Sequence, residues 1–489
     1  MTLALIRTLS GPFVFLIILL IPVTGLPYEG GVALATFGWA ITWWILQPVP
    51  WGITAVLPIV IFPLFGLMKV SSVASLYGQS ILFWLMGTSL LGWAMQKHGL
   101  AKRFALRLLS LKGISTTTHR IAFVYMLAIG LTSMFLSDLA TIALAIPIAI
   151  SISSYVYSVA DLDENKGPET GRGHFTTFLV LGSLYATTAG GIATLVGTPP
   201  NVISVSLLEN LTGETIGWFE WMARGVPISL TLLVTLYFFL RWFFPPEIRH
   251  IPGGEEFIRS ELRRLGKRSR GENNVLISFV VMLVLFLVGP VASLLLGANH
   301  AISMWLARVF EIWIVPPIIL FLLFLLPVDM KKGEATVTWK EAVEHIPWNI
   351  ILLTLSATAM MNSLAQFGFL ELMENALAEL RITVVTLPLV GLALGFITNF
   401  ISAIAFTAGF GAILIPAALR MGLDVTTVVM LIPNLSIGIM WPWSGPTAAT
   451  AFASGKIRMK DMVGIGVLAT IAFGLTVTVM HMLFAGMGM

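Results

Sequence analysis

The chain has 489 residues, of which 57% are hydrophobic and only 11% charged, with mean hydropathy +0.93 and formal net charge +4. A soluble protein would carry about 25% charged residues, so a water-filled surface is excluded, and the small positive excess points to basic loops rather than to a nucleic-acid partner. Cysteine is absent, which rules out disulfides and thiolate-ligated metals.

Apolar runs of about 18 residues or more can cross a hydrocarbon core roughly 30 Å thick. Residues 11–26, 31–48, 52–68 and 79–96 read as four such spans, and residues 1–26 lead straight into the first behind Arg7, without the pattern of a cleaved signal. The stretch 97–120 carries Lys97, Lys102, Arg103, Arg107, Lys112 and Arg120 and no acid. Leu100, Phe104, Leu108 and Leu111 recur there at helical spacing, which predicts an interfacial amphipathic helix. Residues 121–156 are apolar but broken at SDLAT, and a polar loop, 157–175, precedes 176–208, broken at GTPPN. Spans are predicted again at 225–243, 275–297 and 312–328, with 245–273 a solvated connector. The last third gives 349–367, then 383–418 (broken near SAIAFT), 425–455 (broken at WPWSGPT) and 462–486.

If 121–156 and 383–418 enter and return as hairpins, about eleven spans remain and the loops alternate sides. One side then collects 23 of the 28 Lys and Arg residues; the other holds only Lys69, Arg224, Arg308, Arg381 and Arg420. By the positive-inside rule the N-terminus is cytoplasmic and the C-terminus outside, in an inner or plasma membrane. The two halves also repeat an order of elements. FWLMGTSLLGWAMQKHGL (83–100) and LLTLSATAMMNSLAQFGFL (352–370) each precede an interfacial segment, a broken hairpin and a broken span. An odd number of spans separates equivalent elements, so the units take opposite orientations. Paired discontinuous helices in an inverted repeat point to a transporter whose site lies near the midplane. The expected organisation is therefore 1–96 scaffold spans, 97–120 interfacial arm, 121–224 transport unit 1, 225–370 further scaffold spans, 371–382 second arm, 383–455 transport unit 2 and 456–489 last span.

Inside hydrocarbon a non-helical break is tolerated only where protein buries it or a cavity lies beside it. In GTPPN (197–201), Pro199 and Pro200 lack amide hydrogens, Gly197 admits close backbone approach, and Thr198 and Asn201 offer side-chain oxygens. Such a break frees carbonyls at one half-helix end, suited to a cation, and amides at the other, suited to an anion. A kink serving packing alone is the plainer reading, but the parallel break GIMWPWSGPTAAT (438–450) tells against it. Asp138, in LSDLATIALAIP (136–147), has no other charged residue within ten positions on either side and is the acid placed deepest in a core element; Glu311, Glu371 and Asp424 fall near predicted ends. An intramembrane ionisable residue is a functional candidate by default, against the alternative of a protonated Asp hydrogen-bonded to a neighbouring helix.

These motifs, in this order, resemble the divalent anion:sodium symporter family of dicarboxylate, tricarboxylate and sulfate carriers over nearly the whole chain. GTPPNVI matches its first broken-helix motif and SMFLSDLATIALAIP its first hairpin tip. TNFIS (398–402) resembles the approach to its second tip, AFASGKIRMKDMVGIG (451–466) the segment after its second broken helix, and FWLMGTSLLGWAMQKHGLAKR its scaffold span and basic arm. The resemblance implies an all-α, elevator-type carrier, usually a homodimer, gripping a small anion and sodium ions. Carried over, it places a first cation site at Ser133, Ser137, Asp138 and Gly197, with Thr198, Pro199 and Asn201 toward substrate. Asp138 and Leu139 stand where the family has Asn and Thr. In the second tip Ser402 matches the serine if TNFIS fixes the register, with Ala403 and Ile404 replacing Asn and Thr; if Pro416 fixes it, Phe406 takes the serine position and Thr407 the Asn position. Thr398 and Ser444 are the second set of cation candidates, and Gly445, Pro446 and Thr447 stand where a second Thr-Pro-Pro-Asn would complete the substrate grip.

Three roles are open to Asp138. It binds a sodium ion and so couples anion to cation; it takes up a proton, since burial disfavours the charged form; or it meets a neutral, zwitterionic or cationic solute directly. A Na+/H+ antiporter is the rival within the transporter class and a channel lies outside it. An enzyme is disfavoured, because His98, His119, His174, His250, His300, His345 and His481 show no metal-ligand spacing and no phosphate-loop or nucleophile motif is present. No organic cofactor is expected.

Overall fold

The computed structural model describes residues 3–21, 23, 25–162, 173–297, 299–329, 331, 333–369, 372, 387–420 and 424–486. Apart from Leu372, the second arm (371–382), with Glu371 and Arg381, falls outside the described residues, as do Lys166, Arg172 and Lys332. Those described are almost wholly helical, as their apolar runs require. Five helices, Asp138–Val159, Trp218–Phe243, Arg270–Leu296, Trp348–Gln366 and Met459–Gly486, contain stretches long and apolar enough to cross a membrane.

Several expected spans have other bounds. The run 52–68 is two pieces, Trp51–Thr54 and Leu57–Leu64, the second opening with Pro58 where a missing amide costs nothing. The run 312–328 is helical only over Val315–Leu325; Pro327–Asp329 then pairs antiparallel with Glu334–Ala335. The basic arm is a helix over Leu100–Leu109 and not to residue 120: Gly113, at φ 82°, turns the chain, and its amide donates to Glu255 Oε1 at 2.6 Å. The arm's outer face presents Phe104, while Leu106 and Leu109 are buried. The connector 245–273 is not merely solvated. It forms the helix Gly254–Arg264, with acids in its first turn and arginines in its last, packed on the arm.

Arg103 is buried in that junction. Its Nε donates to Glu272 Oε1 at 2.6 Å, and its other nitrogens reach the Gly266 and Leu265 carbonyls at 2.9 and 3.2 Å. Every one of these bonds is needed, since a buried guanidinium left unpaired would cost several kcal/mol. The ion pairs Lys97–Glu341, Arg103–Glu272 and Arg224–Asp424 each join residues that the charge pattern assigns to one face.

The elements around the breaks recur in order. Helices Thr118–Ser133 and Asp138–Val159 form the first hairpin; His174–Gly191 and Pro199–Thr212 flank the first break, residues 192–198. Leu387–Thr398 and Ala403–Arg420 are joined through the second tip, the former packing on Met459–Gly486; Val425–Leu435 and Pro446–Ala453 flank the second break, 436–445. The units interlock. Pro199–Thr212 packs on the second hairpin helix Ala403–Arg420, and Pro446–Ala453 packs on Asp138–Val159 and His174–Gly191 of the first unit. The helix after each break thus packs on the other unit, and residues 192–197 of the first break are buried, the condition under which irregular backbone survives at membrane depth.

Candidate functional site

At the first tip the chain leaves Thr118–Ser133, makes one irregular turn and re-enters helix at Asp138. Ser137 caps that helix, its Oγ accepting from Ala140 N at 3.4 Å. Asp138, in the first helical turn, is where the macrodipole favours negative charge. Ser133 is fully buried and its Oγ donates to Asp138 Oδ1 at 3.1 Å, and the Thr198 side chain reaches the same carboxylate from the first break. The carboxylate lies over Gly191: a β-carbon there would come within 2.4 Å of Asp138 Oδ1. The structure therefore brings Ser133, Asp138 and Thr198 together and adds Gly191, which sequence reasoning missed because its partner is 53 positions away in the chain.

The break itself is tightly folded. A β-carbon on Gly197 would lie 2.4 Å from Gly191 O, so only glycine fits. Asn201 is fully buried and its Nδ2 donates to Gly191 O at 2.9 Å and Thr194 O at 2.7 Å. It staples the loop and does not face open space; only its Oδ1 is left without a partner. Thr194 Oγ1 bonds Met134 O, and Trp221 Nε1 donates to Ile192 O at 3.0 Å, tying the break to the tip and to the next helix. Two further buried hydroxyls, Thr141 Oγ1 and Thr187 Oγ1, have no partner; Thr141 stands one turn beyond Asp138 and Thr187 one turn before Gly191.

The second tip has the same local form. The helix ends at Thr398, an irregular turn comes next, and helix resumes at Ala403. Ser402 thus stands as Ser137 does, immediately before the helix, with Phe406 N bonded to its carbonyl at 2.8 Å. Ala403 takes the place of Asp138. Thr407 is over a turn deeper and fully buried, its Oγ1 sharing a 3.0 Å hydrogen bond with Ser436 Oγ. Thr398 Oγ1 lies within 2.9–3.1 Å of the Gly395, Leu435 and Ile437 carbonyls and accepts Ile437 N at 3.2 Å. Its neighbour Asn399 is not singled out by the sequence, yet it holds the second break: Oδ1 accepts Ile439 N and Met440 N at 3.0 and 2.9 Å, and Nδ2 reaches Gly395 O and Thr470 Oγ1. Ser444 Oγ accepts Trp441 N at 2.9 Å, closing a turn ahead of Gly445, Pro446 and Thr447. Pro199, at the mouth of the first break, is partly exposed, as are Gly445 and Thr447; Pro446 is exposed.

The donor set at the first break, a carboxylate with two hydroxyls beside a broken helix, fits a hard monovalent cation, and among the described residues no cluster of three or more His, Cys, Asp or Glu could hold a metal. A helical chain with interlocked hairpins and breaks around such a site is that of a membrane carrier. The chain belongs to the family described as the sodium:sulfate symporter transmembrane region, whose model matches residues 4–487; its members are symporters, not enzymes. It is 29% identical over 479 residues to a sodium-dependent dicarboxylate transporter, SdcS, of Staphylococcus saprophyticus, covering 94% of this chain and 88% of that one. An SdcS of Staphylococcus aureus is 29% identical over 470 residues, covering 94% and 87%. Among solved structures, the Alcanivorax borkumensis YdaH transporter superposes with TM-score 0.51 at 11% identity, covering 83% of this chain and 85% of that one. Neisseria gonorrhoeae MtrF does so with TM-score 0.52 at 12% identity, covering 84% and 83%. At such identities these two likenesses bear on the fold alone.

Proposed function

We propose that this chain is a sodium-coupled secondary carrier of small anions, of the dicarboxylate or sulfate kind, in which Asp138 holds the coupling ion. The observation that carries the reading is the convergence of Ser133, Asp138, Thr198 and Gly191 at one break. Membership of a symporter family and the dicarboxylate relatives support it.

The coupling comes from electrostatics. An anionic group about 4 Å from a bare carboxylate is repelled by about 4 kcal/mol per pair of charges at an effective dielectric near 20. A sodium ion on Asp138, Ser133 and Ser137 with the Gly197 backbone removes that repulsion, so anion binding depends on the cation. The anion then meets the start of Pro199–Thr212, where the positive end of the helix dipole and the Thr198 hydroxyl face it, Pro199 and Pro200 having no amide hydrogen and Asn201 N being bonded to Thr198 O at 3.2 Å. Ser402, Gly445 and Thr447 face it from the second unit, and Thr398 and Ser444 border a weaker second cation position. We read the units as an inverted repeat of about eleven spans and two re-entrant hairpins, moving in elevator fashion within a homodimer, N-terminus cytoplasmic and C-terminus outside.

Uptake of labelled succinate and sulfate into proteoliposomes, with and without an inward sodium gradient at two pH values, tests this. Sodium-driven uptake is expected, with Asp138→Asn changing its sodium dependence at least tenfold. Uptake driven by a proton gradient and indifferent to sodium would transfer Asp138 to proton coupling. Proton release on adding sodium without any anion would instead indicate an antiporter.

A further inference from the structure

Thr141 and Thr187 are fully buried, and their hydroxyls have no hydrogen-bond partner. Other threonines buried in helices of this chain bond back to the carbonyl one turn earlier, as Thr36 does to Val32, Thr132 to Ala128 and Thr478 to Gly474. Thr188, next to Thr187, does the same to Leu184 O at 3.1 Å. Thr141 and Thr187 leave that acceptor unused. Both lie along the seam between Asp138–Val159 and His174–Gly191, and two contacts bracket them there. One turn toward the tip, a β-carbon on Gly191 would come within 2.4 Å of Asp138 Oδ1. One turn away from the tip, Tyr125 Oη bridges Ala145 O at 2.8 Å and Ser183 Oγ at 2.6 Å. The two bare hydroxyls thus stand in the stretch between the Asp138 carboxylate and a satisfied hydroxyl pair. Beyond that pair Ala149 and Leu179 are apolar and buried, and Pro446–Ala453 of the second unit packs on both helices. Buried polar groups without a partner are rare in native proteins, and two in one seam call for a ligand.

Resting on the carrier reading above, we propose that Thr141 and Thr187 hold a further sodium ion, one turn deeper than the tip, which shares the Asp138 carboxylate with the ion placed there. Each hydroxyl offers oxygen lone pairs, the ligand type a hard cation takes. Charge gives the reason for one more cation. A dianionic substrate brings two negative charges and Asp138 a third, and the partners of Asp138 are the hydroxyls of Ser133 and Thr198 rather than a basic group. One sodium ion leaves two of those three charges unmatched, in surroundings where like charges repel strongly. A second ion on the same carboxylate leaves one. Because the polar stretch ends at Tyr125 and Ser183, the deeper ion enters and leaves past Asp138. It therefore binds before the tip ion and departs after it.

Sodium and anion fluxes measured together in proteoliposomes, with sodium thermal-shift titrations of the same full chain in lipid nanodiscs, test this. Valine at either position keeps the shape of threonine and drops the oxygen. In Thr141→Val and in Thr187→Val the number of sodium ions carried per succinate or sulfate should fall by one. Apparent sodium affinity should fall about tenfold, the scale of one lost polar contact to a charge. Thr187→Ser keeps the oxygen and should retain the parent ratio, and Thr188→Val, whose hydroxyl is already bonded, should change neither quantity. An unchanged ratio and sodium affinity in both valine variants, with sodium-free stability equal or higher, would assign the hydroxyls to packing or to a held water. That result would overturn the proposal and leave the carrier reading intact. Valine variants that alter proton flux and leave sodium flux alone would overturn it in favour of a proton relay. If the parent chain takes up neither anion with sodium, the carrier reading itself fails and the deeper ion with it.

Discussion

The two broken units are built to one plan and finished differently. Each has a tip, a break and a buried asparagine that stitches the break, but the stitching runs in opposite senses. Asn201 reaches back from the helix after the first break and uses only its amide donors; Asn399 reaches across from the tip to the second break and uses donors and acceptor alike. The first unit then adds a carboxylate, and the second adds three aromatic rings. A common backbone device thus carries a carboxylate, Asp138, in one unit and a set of aromatic rings, Phe400, Trp441 and Trp443, in the other.

The largest test of that contrast is Gly191→Ala against Leu435→Ala, the last helical residues before the two breaks. The added methyl at Gly191 collides with Asp138, so we expect loss of most sodium-induced stabilisation, more than tenfold in apparent sodium affinity. Leu435→Ala should cost about 2–5 kcal/mol of stability by leaving a cavity, with sodium affinity retained. Next come the staples. Asn399→Ala strands the Ile439 and Met440 amides and should cost about 3 kcal/mol or more, exceeding Asn201→Ala, when unfolding is monitored in the same lipid; equal losses would erase the asymmetry. Thr407→Val removes one hydroxyl pair and should cost about 1 kcal/mol without altering anion affinity, whereas Ser402→Ala should weaken anion binding and leave stability nearly unchanged. A reversed result would move the second tip's register to Thr407.

The smallest effect lies outside both units. Burial alone would raise Glu341's pKa, but hydrogen bonds from Lys97 and from Thr338's backbone and side chain, with the Lys97 charge, hold it below the usual glutamate value. A depressed carboxyl contributes stability above its unfolded pKa and loses it as pH falls through the folded one. Glu341→Gln should therefore lower stability by about 0.5 kcal/mol at neutral pH, and the difference from the parent chain should fade as pH falls through the depressed folded value.

Much of this is legible in the chain. Charge-free runs mark helices because hydrocarbon tolerates nothing else, and GTPPN and WPWSGPT mark breaks because proline cannot donate an amide. Asp138 stands out as a charge in an apolar stretch. The hidden part depends on partners remote in sequence. Gly191 matters only because Asp138 lies over it, and Asn399 only because residues 439 and 440 fold back to it. Asn201 reads as a substrate ligand because its amide could serve either purpose, and only the positions of the Gly191 and Thr194 carbonyls decide between them. The helix Gly254–Arg264 is masked by its charge, which belongs to an amphipathic element packed on the arm.

Motion of the first unit is constrained by one contact. A β-carbon on Gly190 would lie 2.2 Å from Gly130 O, so helices Thr118–Ser133 and His174–Gly191 meet backbone to backbone, with no side chain between them to shear or repack. A side chain at Gly190 would have to push the two helices apart, and with them the first tip from the break that Thr194 ties to it through Met134. The spacing between tip and break is thus set by a residue that carries no side chain at all.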